Sequence, residues 1–106
     1  MARLRQALPG VRVIGATVTS ALGSTSAAHG FELQDEKRKR LNEFIRTGGV
    51  FDAVAEFDRA ILDPQTGGMK PEFVPDSTVG GPGDKLHPNR MGYQAMGMSI
   101  DLKLFD

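Results

Sequence analysis

"VRVIGATVT", residues 11–19, is rich in β-branched residues and sets apolar side chains at Val11, Val13 and, past Gly15, at Val18. Period-two apolar spacing marks a strand, and the density of valine and isoleucine predicts one buried in a parallel sheet. Upstream, "MARLRQAL" reads as the end of a helix halted by Pro9 and Gly10. Downstream, the side chains of "SALGSTSAAHG" are too small to pack a core, which predicts a loop over residues 20–34. "DEKRKRLNEFIRTGG" then has the grammar of a helix. Asp35 and Glu36 suit its positive N-terminal end, Leu41, Phe44 and Ile45 form an apolar stripe, and Gly48 with Gly49 stops it. "VFDAVAEF", residues 50–57, predicts a second strand.

Residues 59–84 contain four of the six prolines and much glycine, so they read as a long loop; loops of more than about 12–15 residues in a compact domain tend to be functional or disordered. "PNRMGYQAMGMSIDLKLF", residues 88–105, returns to helical spacing, with Met91, Ala95, Met98, Leu102 and Phe105 on one stripe expected to pack against the sheet. Pro88 suits the first turn of that helix. Gly92 and Gly97 each cost about 1 kcal/mol in its interior, tolerable where the helix lies close to a neighbour. The order helix, strand, helix, strand, helix predicts an α/β fold with parallel strands and right-handed crossovers. Two parallel strands and about three helices cannot cover both faces of a sheet, so the chain is expected to form part of a larger one.

The bulk composition excludes several classes. With 106 residues, 40% hydrophobic and 25% charged, the chain matches one soluble globular domain. Thirteen basic residues balance thirteen acidic ones, which gives no reason to expect nucleic acid or an anionic membrane surface as partner. The basic cluster Lys37 to Arg40 reads as the wet face of a helix. Without cysteine there is neither disulfide nor thiolate chemistry. No apolar run is long enough for a membrane span, and "MARLRQALPG" lacks the apolar middle of a signal peptide.

The chemistry is concentrated in "GDKLHPNRMGY", residues 83–93. A histidine acting as general base needs one ring nitrogen aimed at its nucleophile and the other held by an acceptor that fixes the tautomer. Asp84, three residues before His87, can return its carboxylate beneath the imidazole around a tight turn, and Pro88 restricts His87 to extended backbone. Loops that follow strands in an open α/β sheet also line the crevice where ligands bind. By spacing alone, the same pair equally suits a helix cap beside a solvated histidine, which is the commoner arrangement.

"GDKLHPNRMGYQAM" resembles the last conserved block of the SGNH or GDSL hydrolases, in which Asp-x-x-His is followed by proline and a glycine-containing helix. The resemblance extends upstream through Arg38, Asn42, Ile45 and Arg46 in "RKRLNEFIR", through "GGVFDAVAEFD", and to Asp63 and Pro64. It implies a three-layer αβα, flavodoxin-like sheet, with residues 1–106 as the C-terminal portion of one hydrolase domain, His87 as general base and Asp84 as its orienting acid. It also implies a secreted esterase acting through an acyl-enzyme on lipid, acetyl or carbohydrate esters. The family's Gly-Asp-Ser and Gly-x-Asn-Asp blocks, which supply the nucleophile and oxyanion donors, have no counterpart here: Ser20, Ser24, Ser26, Ser77 and Ser99 all lie outside such contexts.

Other signals are weaker. Asp58, at the carboxyl end of the second strand, is a candidate to line the substrate crevice, against a capping or turn role. "GGPGDK" lacks the spacing of a phosphate loop. His29, Asp76, Asp84 and His87 offer no metal-ligand spacing, so neither metal nor other cofactor is expected. The leading expectation is therefore an ester hydrolase fragment that is inactive without a nucleophile-bearing N-terminal half. The alternative is a non-catalytic fragment or interaction module that pairs, or self-associates, through its open sheet edge.

Overall fold

The structure, a computed structural model, describes all 106 residues. It is mixed α/β, with four helices and one two-stranded parallel sheet. β1 (Ile14–Ala16) pairs with β2 (Ala53–Ala55) in the register Ile14 to Ala53, Gly15 to Val54 and Ala16 to Ala55. The crossover between them is α2 (Glu32–Thr47), which packs against β1. α1 (Ala2–Ala7) buries no side chain. Polar contacts hold it, with Arg5 Nη2 3.1 Å from both the Val50 carbonyl and an Asp52 carboxylate oxygen. No helix is long and apolar enough to cross a membrane.

Both strands are shorter than the sequence pattern implies. Past the Thr17 N–H the chain leaves the ladder because Asn42 captures the Val18 main chain at both ends: Val18 N–H donates to Asn42 Oδ1 at 2.7 Å and Val18 C=O accepts from Asn42 Nδ2 at 2.8 Å. A sheet of three pairs covers little, and Val18 itself is 45% exposed. α2 begins at Glu32, three residues before the expected start, so the first loop ends at residue 31.

The expected apolar stripe of α2 is also corrected. Leu41 and Phe44 are about half exposed, and the buried face is Asp35, Arg38, Asn42 and Ile45. These fall three to four residues apart, one side of a helix. The wet-face reading of the basic cluster holds for Lys37, Lys39 and Arg40 and fails for Arg38, which is buried.

The expected loop 59–84 carries structure of its own. α3 (Phe57–Ile61) follows β2 after one residue, Leu62 and Met69 form an antiparallel bridge, and Pro71–Phe73 makes a 3₁₀ turn. Ile61 and Met69 from this segment join Ile45 and Ala55 as the buried apolar side chains. The C-terminal helix α4 (Arg90–Met98) packs on α3 and on the 3₁₀ turn, and it ends at Ser99, well before the expected residue 105. Its Met91 and Met98 are exposed, as are Leu102 and Phe105 in a second 3₁₀ turn, so the expected packing of that stripe on the sheet is absent.

The uncovered apolar side chains show in the dimensions. The accessible surface is 7026 Å², against about 5,800 Å² for a compact monomer of this mass. The radius of gyration is 15.3 Å, against about 13 Å for a compact domain of this length.

The two helix glycines of α4 separate on the same grounds. A Cβ at Gly92 would lie 2.7 Å from Pro88 Cβ and 3.1 Å from Phe73 Cβ, whereas a Cβ at Gly97 meets nothing within 4 Å. Gly92 marks a close approach and Gly97 does not. Gly97→Ala is expected to stabilise the chain by about 1 kcal/mol through helix propensity, and Gly92→Ala to destabilise it by about 1–3 kcal/mol through overpacking. Urea unfolding followed by circular dichroism tests both signs.

Candidate active site

The carboxyl ends of β1 and β2 are tied together by polar side chains. Thr17, directly after β1, donates its N–H to the Ala55 carbonyl at 3.0 Å, and its hydroxyl accepts from the Asp58 N–H at 3.0 Å. Asp58 opens α3 with its carboxylate turned inward: Oδ1 lies 2.7 Å from Arg38 Nη1, and Oδ2 accepts from Asn42 Nδ2 at 3.2 Å. Oδ1 is held by the charge contact alone, without an aligned hydrogen bond. The expectation that Asp58 lines the crevice is therefore corrected; its side chain is 8% exposed and serves as a strut between β2 and α2.

Around Asp58 the network continues. Arg38 Nε donates to Asp35 Oδ1 at 2.7 Å, and Nη1 donates to the Val18 carbonyl at 3.1 Å. Burial works to raise the Asp35 carboxyl, but hydrogen bonds from Arg38 and Lys39 outweigh it and hold the carboxyl below its ordinary value. Burial likewise opposes the charge on Arg38, and hydrogen bonds to Asp35 and Asp58 reverse the balance and raise it. Arg46 grips Glu56 through two nitrogens at 2.8 and 2.9 Å, and the bond from Arg46 lowers the Glu56 carboxyl. Sequence reasoning missed this network. The available signal was the spacing of 35, 38 and 42, which places opposite charges and an amide on one helix face.

Three loops meet above these ends. Ser20 Oγ donates to the Gly67 carbonyl at 2.6 Å, fastening the loop after β1 to the loop after α3. Ser24 Oγ and Thr25 N–H both donate to the Asp84 carbonyl, at 2.8 and 3.1 Å, fastening it to the turn that holds His87. Gly83 enters that turn at φ +75°, and any Cβ there would run into the Val74 carbonyl, so only glycine lets the chain pass.

The turn brings Asp84 and His87 together. Asp84 Oδ1 accepts the backbone N–H groups of Leu86 and His87, each at 2.9 Å, and Oδ2 lies 2.7 Å from His87 Nδ1. With the carboxylate ionised, Nδ1 must carry the hydrogen of a neutral imidazole, which leaves a lone pair on Nε2. Nε2 has no hydrogen-bond partner, and the imidazole is 46% exposed. The helix-cap role belongs to another residue: Asn89 Oδ1 accepts from Gly92 N–H at 3.1 Å. Asn89 Nδ2 also donates to the Glu72 and Pro75 carbonyls at 2.9 Å, anchoring the start of α4 just after the histidine.

The His87 backbone N–H does most to lower the Asp84 carboxyl, to about 2; burial opposes it, and the His87 ring and the Leu86 N–H add to it. A carboxyl depressed from about 3.9 in the unfolded chain contributes stability that is complete above pH 4 and is lost as pH falls through 2. The amide resonances of Leu86 and His87 are expected to titrate together with a midpoint near 2. A midpoint near 4 would mean that the turn exerts no hold on the carboxylate.

No serine of the chain meets His87. Ser20 is buried with its hydroxyl spent on Gly67, Ser24 is spent on Asp84, and neither Ser26, Ser77 nor Ser99 bonds to His87. His29 pairs with Gln34, Nδ1 to Nε2 at 3.2 Å. The arrangement offers an oriented imidazole with an open face. No family model and no curated protein matches the chain.

Proposed function

We propose that the chain carries the base and acid of a GDSL-type ester hydrolase and contributes two strands to a flavodoxin-like sheet. The supporting observation is the Asp84 Oδ2 to His87 Nδ1 contact of 2.7 Å with Nε2 unengaged. In the proposed reaction Nε2 takes the proton of a serine hydroxyl as its oxygen bonds to the ester carbonyl carbon, and Asp84 stabilises the imidazolium. The same proton then goes to the departing alcohol. Water repeats the cycle on the acyl-enzyme and releases the carboxylic acid.

The serine and the oxyanion donors come, in this reading, from a segment bearing Gly-Asp-Ser and Gly-x-Asn-Asp. β1 has a strand neighbour on one side only, and an open edge next to apolar side chains such as Val18 suits the pairing of that segment. The test is complementation. The chain alone should hydrolyse an activated short-chain ester no faster than its His87→Ala variant, and adding an N-terminal GDSL segment should produce hydrolysis that His87→Ala abolishes. Assembly with that segment, or with further copies of the chain, in the absence of any His87-dependent turnover would favour the second reading, an interaction module that uses the same edge.

A further inference from the structure

We propose that the cavity between the end of β1, the first loop, the N-terminal half of α2 and Leu86 binds a short acyl chain, with Arg38 donating a hydrogen bond to its carbonyl oxygen. The cavity measures about 250 Å³, and its apolar wall is Val18, Ala21, Leu22, Phe31 and Leu86. An apolar cavity of about 150 Å³ already accepts benzene, so this one takes a chain of several carbons. It falls short of the roughly 300–1,000 Å³ of pockets for larger ligands.

The polar part of the lining sets the rest of the ligand. Arg38 reaches the cavity with a side chain only 8% exposed. Its Nε serves Asp35, and its Nη1 serves Val18 and Asp58, but its Nη2 donates to no protein acceptor. That nitrogen is not among the fully buried unpartnered atoms, so it is open to a ligand oxygen in the cavity, which can accept the hydrogen bond that water would otherwise take. Asp35 and Asp58 already balance the guanidinium charge, so a carboxylate ligand would meet like charges, whereas a neutral carbonyl would not. A short apolar tail ending in a neutral carbonyl is the acyl half of an ester. Leu86, one wall of the cavity, is the residue before His87, so the cavity wall and the Asp84–His87 turn are joined through the chain. The acyl role rests on the ester-hydrolase reading; affinity for a neutral short-chain carbonyl does not.

The intact chain, labelled with ¹⁵N, is titrated with hexanamide, hexylammonium, acetamide and hexanoate. Hexanamide should give saturable shifts at the Leu22, Phe31 and Leu86 amides and at Arg38 Nε–H. The other three, lacking respectively the acceptor, the tail and neutrality, should bind about tenfold or more weakly. Ala21→Leu, which fills the cavity, should weaken hexanamide by a similar factor while keeping the wild-type melting curve. No saturable response to hexanamide, shifts centred elsewhere, equal binding of hexylammonium or hexanoate, or unchanged binding by folded Ala21→Leu would each overturn the proposal. Binding without hydrolysis by the complemented chain would remove the esterase reading and leave the carbonyl pocket, whereas hydrolysis without binding would do the reverse.

Discussion

Replacing Arg38 with methionine is expected to destabilise the chain by about 3–5 kcal/mol, the cost of removing one partner of a buried ion pair. Methionine fills much of the same volume, so lost packing contributes little. The damage comes from what is left behind. Asp35 keeps Lys39 Nζ at 2.9 Å, but that lysine is exposed, and Asp58 keeps only the Asn42 amide at 3.2 Å and Arg46 Nη2 at 3.8 Å. A domain of this length has about 5–15 kcal/mol of stability in all, and one with four buried apolar side chains belongs at the low end, so the variant should be largely unfolded at room temperature. Asp58→Asn in the Arg38→Met background should recover part of the loss, because it removes the stranded charge. Arg40→Met, on the exposed face of the same helix, should stay within about 0.5 kcal/mol of wild type. Urea titration at neutral pH, analysed as a double-mutant cycle, decides the matter; a single-variant cost as small as that of Arg40→Met would show that the network is ornamental.

That network is also where sequence reasoning and structure part. The alternation of helix and strand was legible because Val11 to Val18, the Gly48-Gly49 stop and the proline-rich segment each carry a strong local signal. The Asp84–His87 contact was legible because it closes within three residues, so the turn alone determines it. Leu41, Phe44, Met91 and Met98 were misplaced for one common reason. Periodicity finds the apolar side of a helix, but which side is buried depends on what lies opposite it. Here the sheet has two strands, the faces of α2 and α4 that carry these side chains meet nothing, and burial goes to the polar side of α2, where Asn42 and Arg38 reach Val18 and Asp58. α3, just ahead of the proline-rich segment, was lost because a helix of five residues has too few turns to show a period. Asp58 was read by its position after a strand, a reading blind to the direction of its side chain, which points into the network.

Asp84→Asn is expected to leave the chain folded and, on the proposed ester-hydrolase reading, to lower turnover of the complemented chain by about 10⁴, the loss produced when a triad histidine is trapped in the wrong tautomer. The reason lies in the division of labour between the two carboxylate oxygens. Oδ1 accepts two backbone N–H groups, from Leu86 and His87. An asparagine keeps both bonds only by placing its carbonyl oxygen there, so its NH₂ must take the place of Oδ2, 2.7 Å from His87 Nδ1. Two N–H groups cannot face each other across that distance; Nδ1 must become the acceptor, and the hydrogen moves to Nε2. An imidazole protonated on Nε2 cannot receive a proton from a nucleophile there. The turn survives and the base is lost. Asp84→Ala should lose both, with a lowered melting temperature as well as lowered turnover. The tautomer is readable in the chain by itself, since the ¹⁵N shifts of the neutral His87 ring should change from the Nδ1–H to the Nε2–H pattern in Asp84→Asn. An Nδ1–H ring in both proteins would mean that Asp84 does not set the tautomer, and the pair would then be a turn with a histidine beside it.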